Sequence, residues 1–316
     1  MREQAKDHMS SAFARIGSRG SPLALVQARA VRDRLAAAHA IAPEAIELRV
    51  IRTSGDIIQD RPLAEVGGKG LFTKEIELAL LAGEVDLAVH SAKDMQTVLP
   101  AGLCIAACLP REDARDVLVS RTAASLSDLR PGARVGTSSL RRAALLRRLR
   151  ADLVVVPLRG NVETRLRKLD EGVADATILA LAGLRRLGLE QKATAILAVD
   201  EFLPAVGQGV IAIETRVDDE KTHSLLAPIG DAEAASALAA ERAFLTVLDG
   251  SCRTPIAGHA RLSAGEIRFS GLIVKPDGSA AFAASRTGPI AQAEAIGANA
   301  GRELRAKGGA DFFALP

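Results

Sequence analysis

The sequence has 316 residues, of which 48% are apolar and 25% charged, with a net charge of +3. A chain of this length exceeds one small core, so we expect two or three domains. The composition is typical of a folded globular protein and excludes a disordered chain or an overall polycation. Eight Phe with no Tyr or Trp argue against a surface that stacks single-stranded nucleic acid.

Three cysteines, Cys104, Cys108 and Cys252, leave one thiol unpaired in any disulfide arrangement, which is typical of a reducing compartment. The first residues lack an apolar run that would serve as a secretion signal, and no stretch reaches the length of a membrane span. The five His residues are scattered without ligand spacing. We therefore expect a cytoplasmic protein with no membrane partner and no metal.

Short apolar runs alternate with helical patterns along the first two thirds of the chain. Residues 13–17 predict a strand, and Ser21 followed by Pro22 is typical of a helix start. The next predicted elements are a strand at 46–51, a helix at about 71–82 and a buried strand at 86–89. This alternation predicts parallel sheet covered by helices on both faces.

Two pairs of segments resemble each other. Residues 134–140 (RVGTSSL) resemble residues 15–21 (RIGSRGS), and residues 172–178 (GVADATI) resemble residues 83–89 (GEVDLAV). We interpret them as an imperfect duplication that produces two similar α/β lobes facing each other. The carboxyl ends of strands and the helix N-termini would then meet in a cleft that suits carboxylates or phosphates.

After residue 213 the pattern changes. An Ala-rich helix at 232–248 precedes a loop with Cys252, two strands are predicted at 267–274 and 280–284, and a last helix at 290–306. The fold class is α/β, with two similar doubly wound lobes and a smaller C-terminal α/β domain. The predicted domains are 1–110 with 210–228, 115–204, and 230–316, and the predicted crossings between the lobes are 111–116 and 202–209.

Residues 130–168 contain eleven basic side chains and only two acidic ones. A charge run alone is usually a solvated helix face. Four of these arginines, however, lie near the starts of predicted helices, where a cation opposes the helix dipole unless an anion lies nearby; they are Arg141, Arg142, Arg159 and Arg165. Because the guanidinium fork matches a carboxylate, we expect an anionic ligand between them.

Three other positions are candidates for chemistry. Asp94 follows a buried strand beside Lys93, which we expect to neutralise it; by itself the pair also fits an ordinary surface loop. Ser138 and Ser139 read as helix caps rather than nucleophiles, since no His and acid are placed to activate them. Cys252 lies in a Gly-Ser-Cys-Arg loop where the adjacent arginine favours the thiolate, and a bystander thiol is an equal alternative.

Eight segments in order resemble the porphobilinogen deaminase family along nearly the whole chain after about residue 12. Each is weak alone, but the series is highly specific. They are residues 16–25 (IGSRGSPLAL), 67–72 (GGKGLF), 89–94 (VHSAKD), 135–142 (VGTSSLRR), 158–162 (LRGNV), 182–184 (AGL), 203–209 (LPAVGQG) and 250–252 (GSC).

The resemblance implies an enzyme that condenses four porphobilinogen molecules with loss of ammonia and releases hydroxymethylbilane by hydrolysis, with two lobes like those of two-lobed anion-binding proteins. Nothing in the sequence demands more than a monomer, so we expect a monomer. It implies a dipyrromethane cofactor on Cys252 by a thioether bond, with Asp94 as the catalytic residue. The implied cofactor-binding residues are Lys93, Asp94, Ser138, Ser139, Arg141 and Arg142. The implied binding residues for porphobilinogen and the growing oligopyrrole are Arg19, Ser21, Lys69, Arg159, Arg165 and Arg186.

One departure from the family pattern lies beside the catalytic candidate. The family usually has proline where this chain has Gln96, so we expect a slightly more mobile loop around Asp94. Two other functions share some of these features. A non-catalytic two-lobed receptor for an anion would leave Cys252 and Asp94 without a task, and a nucleic-acid-binding protein using residues 130–168 would need aromatic residues that are absent there.

Overall fold

The computed structural model describes residues 12–57, 70–248, 255–309 and 312, so Lys69 and Cys252 lie outside the described residues. The strands are β1 (Ala14–Ser18), β2 (Ile46–Val50), β3 (Leu87–Ser91), β4 (Leu103–Cys108), β5 (Asp116–Ser120), β6 (Arg134–Gly136), β7 (Val154–Val156), β8 (Ala176–Ala180), β9 (Ala195–Ile196), β10 (Ile211–Arg216), β11 (Ile256–Ser263), β12 (Glu266–Val274) and β13 (Ala281–Pro289). The α-helices are α1 (Pro22–Ala38), α2 (Ser54–Ile57), α3 (Lys74–Leu81), α4 (Leu140–Leu149), α5 (Val162–Asp170), α6 (Leu181–Arg186), α7 (Glu220–Leu226), α8 (Ala232–Val247) and α9 (Ala293–Gly308).

Two five-stranded sheets have the same topology. The first has the order β2-β1-β3-β10-β4 and the second the order β7-β6-β8-β5-β9. In each sheet four strands run in one direction and the fourth in the order runs in the other. The predicted α/β class with two similar lobes is therefore confirmed, and a third sheet, β11-β12-β13, belongs to a smaller C-terminal unit.

The duplication extends to individual hydrogen bonds. In the first lobe, Arg15 N donates to Asp86 Oδ2 at 2.8 Å; in the second, Arg134 N donates to Asp175 Oδ2 at 2.7 Å. The strand registers agree as well, because Gly17 pairs with Ala88 and Gly136 pairs with Thr177. The sequence repeat thus corresponds to equivalent strands and turns in two lobes.

The expectation of purely parallel sheets was wrong, because β5 and β10 run antiparallel to their neighbours. Both strands follow a crossing from the other lobe. Asp116 opens β5 opposite Ala180, at the carboxyl end of β8, and Ile211 opens β10 opposite Ser91, at the carboxyl end of β3. A chain that enters a sheet at this end must run back along it, so the crossings fix the antiparallel strands.

The C-terminal unit has one strand more than the two that the sequence pattern predicted. The additional strand β11 contains Gly258, His259 and Arg261, which weaken its apolar signal. The antiparallel sheet packs on α8 and α9 through Phe244 and Phe269, whose ring centroids are 4.9 Å apart. These elements form a core separate from those of the two lobes.

A buried carboxylate on α8 joins the C-terminal unit to both crossings. Glu241, which is 0% exposed, accepts hydrogen bonds from Arg111 Nη1 at 2.5 Å and from Gly207 N at 2.6 Å, one from each crossing. It also accepts from Ala260 N in β11 at 2.8 Å. Burial alone would raise the pKa of Glu241, but Arg111 and His259 lower it to about 2. Glu241 therefore remains ionised and holds three parts of the chain together.

We expect Glu241→Gln to lower the free energy of unfolding by about 3 kcal/mol near neutral pH, because it leaves the Arg111 charge without its buried partner. The folded pKa of Glu241 is about 2 against an ordinary 4.5. The stabilisation is therefore complete above about pH 5 and is lost as the pH falls toward 2. Denaturant unfolding of both proteins from pH 3 to 8 checks this, with the exposed Glu233→Gln as control. An unfolding free energy equal to that of the unsubstituted chain at pH 7 would contradict the role of Glu241.

Candidate active site

The turn that carries Asp94 begins where β3 ends. The strand is buried, and a single 3₁₀ turn follows at Ala92–Asp94. Ala92 and Met95 are buried on either side, which leaves Lys93 and Asp94 exposed in the cleft. The backbone of Gly207 lies directly against this turn, since a Cβ at Gly207 would be 3.0 Å from Lys93 N. The second crossing therefore supports the turn from behind.

The start of α4 faces the cleft from the second lobe. Ser139 is the N-cap and accepts a hydrogen bond from Arg142 N at 3.4 Å, as expected for a capping serine. Ser138, the other predicted serine, is exposed. Arg141 and Arg142 in the first turn of α4 are only 6% and 5% exposed. Their guanidinium groups are therefore held inside the protein.

Asp116, the first residue of β5, is the anion that stabilises these two arginines. It is fully buried and accepts hydrogen bonds from Arg141 Nη2 at 2.7 Å and from Arg142 Nη2 at 2.6 Å. Burial would raise the pKa of Asp116, but the two arginines lower it to about 2. We had expected a ligand to be the anion between them. The first anion is instead a carboxylate of the chain itself.

Gln208 connects this ion cluster to Lys93. Its Nε2 donates to Asp116 Oδ1 at 3.0 Å, and its Oε1 accepts from Lys93 Nζ at 3.4 Å. The expected partner of Asp94, Lys93, thus donates its hydrogen bond to Gln208, while the nearby Asp94 charge still raises the pKa of Lys93 against the larger effect of burial. Among the described residues, no cationic group lies within ion-pair distance of the Asp94 carboxylate.

The cleft concentrates positive charge. Lys93 reaches solvent through the cleft opening, but the surrounding protein and the Arg142 charge lower its pKa to about 8. Burial together with the Arg142 charge lowers the pKa of Arg165 to about 10, although Asp94 opposes this effect. Burial also lowers the pKa of Arg186 to about 10. In each case burial is the largest cause, and the carboxylates among the described residues offset it only in part.

The other predicted binding residues lie at helix ends: Arg19, Ser21 and Arg159 lie just before α1 or α5, and Arg186 is the last residue of α6. Arg19 forms an ion pair with Asp56 at 2.5 Å and lies over the Phe72 ring, 4.2 Å from its centroid. Ser21 caps α1, and Arg186 Nη2 donates to Gly209 O at 2.6 Å. Lys168 Nζ donates to the carbonyl of Arg159 at 3.1 Å, just before α5. The structure thus brings together Lys93, Asp94, Arg141, Arg142 and Arg165, with Arg19 and Ser21 on the first-lobe side.

Sequence reasoning missed Asp116, Gln208 and Phe72. The signal for Asp116 was an acidic residue that opens an apolar run, DVLVS, directly after a predicted crossing. Gln208 stands between two glycines of the second crossing. Gly209 has φ +88°, and a Cβ there would lie 2.3 Å from Glu112 O. The two crossings therefore touch at their backbones, which brings Gln208 next to Asp116.

The fold and the site together define a class of protein. It is a two-lobed α/β protein whose interlobe cleft gathers cationic side chains suited to a polyanionic molecule, and in which the Asp94 carboxylate has no ion-pair partner among the described residues. Within the described ranges, no cluster of three or more His, Cys, Asp or Glu side chains could hold a metal, and no helix is long and apolar enough to cross a membrane.

Comparison with known proteins identifies the family. Residues 14–224 match the family model "porphobilinogen deaminase, dipyromethane cofactor binding domain", and residues 235–306 match "porphobilinogen deaminase, C-terminal domain". Curated porphobilinogen deaminases are similar over nearly the whole chain. Those of Nitrobacter winogradskyi and Nitrobacter hamburgensis are each 62% identical over 96% of this chain and 96% of the relative, and that of Paracoccus denitrificans is 56% identical over 95% and 96%.

The chain belongs to the porphobilinogen deaminase family. It is an enzyme, a transferase of tetrapyrrole biosynthesis that uses a dipyrromethane cofactor. The described residues fit that cofactor, because its acidic side chains require cationic donors and the cleft contains several. Arg141 Nε is a buried donor with no hydrogen-bond partner in the part of the chain that the structure describes. Cys252, the predicted attachment point, lies outside that part.

We expect Asp116→Asn to reduce the fraction of chains that carry the cofactor and to lower the free energy of unfolding by about 3 kcal/mol. The substitution keeps the shape of the side chain but removes the charge that fixes Arg141 and Arg142. Intact-mass spectrometry and denaturant unfolding measure the two effects. Asp113→Asn is the matched control, because Asp113 pairs with the partly exposed Arg115. Full cofactor loading together with unchanged stability would contradict the role of Asp116.

Proposed function

We propose that the chain condenses four porphobilinogen molecules, one at a time, on dipyrromethane bound to Cys252, and then releases hydroxymethylbilane by hydrolysis. The observation that carries the proposal is the position of Asp94, a carboxylate without an ion-pair partner among the described residues, in a cleft of undercompensated cations. The cations can bind the carboxylates of a polyanionic substrate. The Asp94 carboxylate can stabilise the positive charge that develops as ammonia leaves.

The binding residues divide by position. One group of side chains lies at the start of α4 and on the turn after β3, and Arg141 and Arg142 of this group bind Asp116. We assign to the carboxylates of the cofactor the residues Lys93, Ser138, Ser139, Arg141 and Arg142. We assign to the incoming porphobilinogen and the growing chain the residues Arg19, Ser21, Lys69, Arg159, Arg165 and Arg186. Arginine suits this task because one guanidinium presents two parallel donors to a carboxylate. Each added pyrrole brings further carboxylates, which accounts for more cations than one ligand unit requires.

Asp94 is assigned the chemical role. Its carboxylate accepts hydrogen bonds from pyrrole N–H groups and stabilises the positive charge that forms as ammonia departs. The dipyrromethane, when bound, supplies the pyrrole carbon to which the substrate is joined. The electrostatic effect of Asp94 strengthens when the bound substrate displaces water from the cleft.

We assign residues 1–110 with 210–228 to the first lobe, 115–204 to the second and 230–316 to the cofactor-attachment domain. Support comes from the sheets, since β10 joins the first sheet and β5 the second. We further propose that the enzyme acts as a cytoplasmic monomer without a nucleic-acid or membrane partner. Within the arginine-rich residues 130–168, Arg141 and Arg142 point inward to Asp116 and are not available to a nucleic acid.

We expect Asp94→Asn to fold normally, retain its cofactor and lose at least about a hundredfold in kcat, because the charge of the carboxylate rather than its shape stabilises the developing cation. The measurement is steady-state turnover of porphobilinogen on fully loaded protein. Asp33→Asn on the exposed face of α1 serves as the control. If Asp94→Asn retained near-normal turnover, the catalytic role would have to be assigned elsewhere.

The covalent cofactor itself is tested by intact mass. We expect purified protein to exceed its polypeptide mass by two linked pyrrole units, and Cys252→Ala to show no excess, since the thioether requires the sulfur atom. Protein without the excess would be incubated with porphobilinogen before a second measurement. Failure to gain the mass would favour a non-catalytic receptor for anions over the enzyme.

A further inference from the structure

We propose that Gln96 is a positioning residue of this enzyme, and that its hydrogen bond to the buried carboxyl group of Glu77 fixes the loop that carries Asp94. The inference rests on the role proposed for Asp94. It starts from the position where this chain has a glutamine in place of the proline of the family pattern.

The side chain of Gln96 is engaged in the interior of the first lobe. Its Nε2 donates to Glu77 Oε2 at 2.9 Å and lies 3.3 Å from Oε1. Glu77 lies on α3 and is 3% exposed. Burial raises the pKa of Glu77, and the nearby charge of Glu214 raises it further, whereas the neighbouring Thr73 hydroxyl and the hydrogen bond from Gln96 lower it. The Gln96 amide therefore stabilises a carboxyl group for which few other donors are available.

The surroundings are shaped to admit this side chain. Gly70 has φ +75°, and a Cβ at that position would lie 2.5 Å from Gln96 Nε2. Any larger residue at 70 would displace the amide from Glu77. The backbone of the same loop is held from the other side, because Arg242 Nη2 on α8 donates to Gln96 O at 3.0 Å and to Thr97 O at 2.8 Å.

The residues that tie this loop to the interior of the first lobe, His90 and Gln96, lie on either side of Asp94 in the sequence. His90 precedes it in β3, and its Nε2 lies 3.1 Å from Oε2 of the fully buried Glu214, beside Glu77 in the same interior cluster. Gln96 follows Asp94 by two residues and returns the chain to that cluster. The greater loop mobility expected from the sequence stays a prediction, which hydrogen exchange tests. In our proposal, the side-chain hydrogen bond of Gln96 supplies the restriction that proline would supply through its ring.

Exchanging the two side chains tests the proposal. Q96A removes the bond, and Q96E places a second carboxyl group against Glu77. The double variant Q96E/E77Q restores one donor and one acceptor with their positions reversed. V98A, which alters an exposed side chain of the same loop, is the control. All proteins are compared in their cofactor-loaded form.

Two quantities are measured: hydrogen exchange of the backbone amides of residues 92–97, and kcat and KM for porphobilinogen. We expect Q96A and Q96E to exchange faster and to lose about tenfold in kcat with KM changed less than twofold, which corresponds to one hydrogen bond of ordinary strength. The double variant regains most of both, and V98A changes neither.

Unchanged exchange in Q96A, or faster exchange without loss of kcat, would overturn the proposal, as would failure of the double variant to regain either quantity. The exchange measurement does not depend on the chemistry assigned to Asp94. A wrong assignment of Asp94 would instead show as an active Asp94→Asn protein. The two failures are therefore distinguishable.

Discussion

The architecture of the cleft depends on the buried carboxylate of Asp116. Two guanidinium groups in the first turn of a helix would destabilise α4, because its N-terminus already carries positive partial charge. Asp116 removes that cost by accepting from both Arg141 and Arg142. Its position at the start of β5 follows from the crossing between the lobes. The charge pattern of the site is therefore tied to the connectivity of the fold.

A second buried carboxylate, that of Glu241, is likewise held by residues of the crossings between the lobes. Glu241 binds Arg111 from the first crossing and the backbone of Gly207 from the second. The two crossings also touch each other, through Gly209 and Glu112. Movement of one lobe relative to the other must preserve these contacts or break buried ion pairs, which costs several kcal/mol each. Changes of the cleft are therefore expected to use the loops in front of the crossings rather than the crossings themselves.

Local sequence patterns predicted a large part of this structure. The sequence segments that contain Arg15 and Asp86 recur around Arg134 and Asp175, and this repeat predicted two equivalent lobes. The serine before α4 predicted a helix cap. The patterns failed where a partner is remote in sequence. Asp116 lies 25 residues before Arg141, and Gln96 lies 19 residues after Glu77. Nothing in either segment alone indicates the other. The reversed direction of β5 and β10 was missed for the same reason, since it depends on which sheet a strand joins.

The contrast between Asp94 and Asp116 shows how one residue type takes two roles in the same cleft. Each aspartate lies at one end of a buried strand, and the amino acids around it in the sequence do not indicate which role it takes. Asp116 accepts hydrogen bonds from two guanidinium groups and the Gln208 amide, so its charge is balanced by groups of the protein itself. Lys93, the cation next to Asp94 in sequence, donates its hydrogen bond to that same Gln208. The ion cluster therefore serves the proposed chemistry indirectly: by engaging Gln208 and Lys93, it leaves Asp94 as a carboxylate that a substrate cation can use.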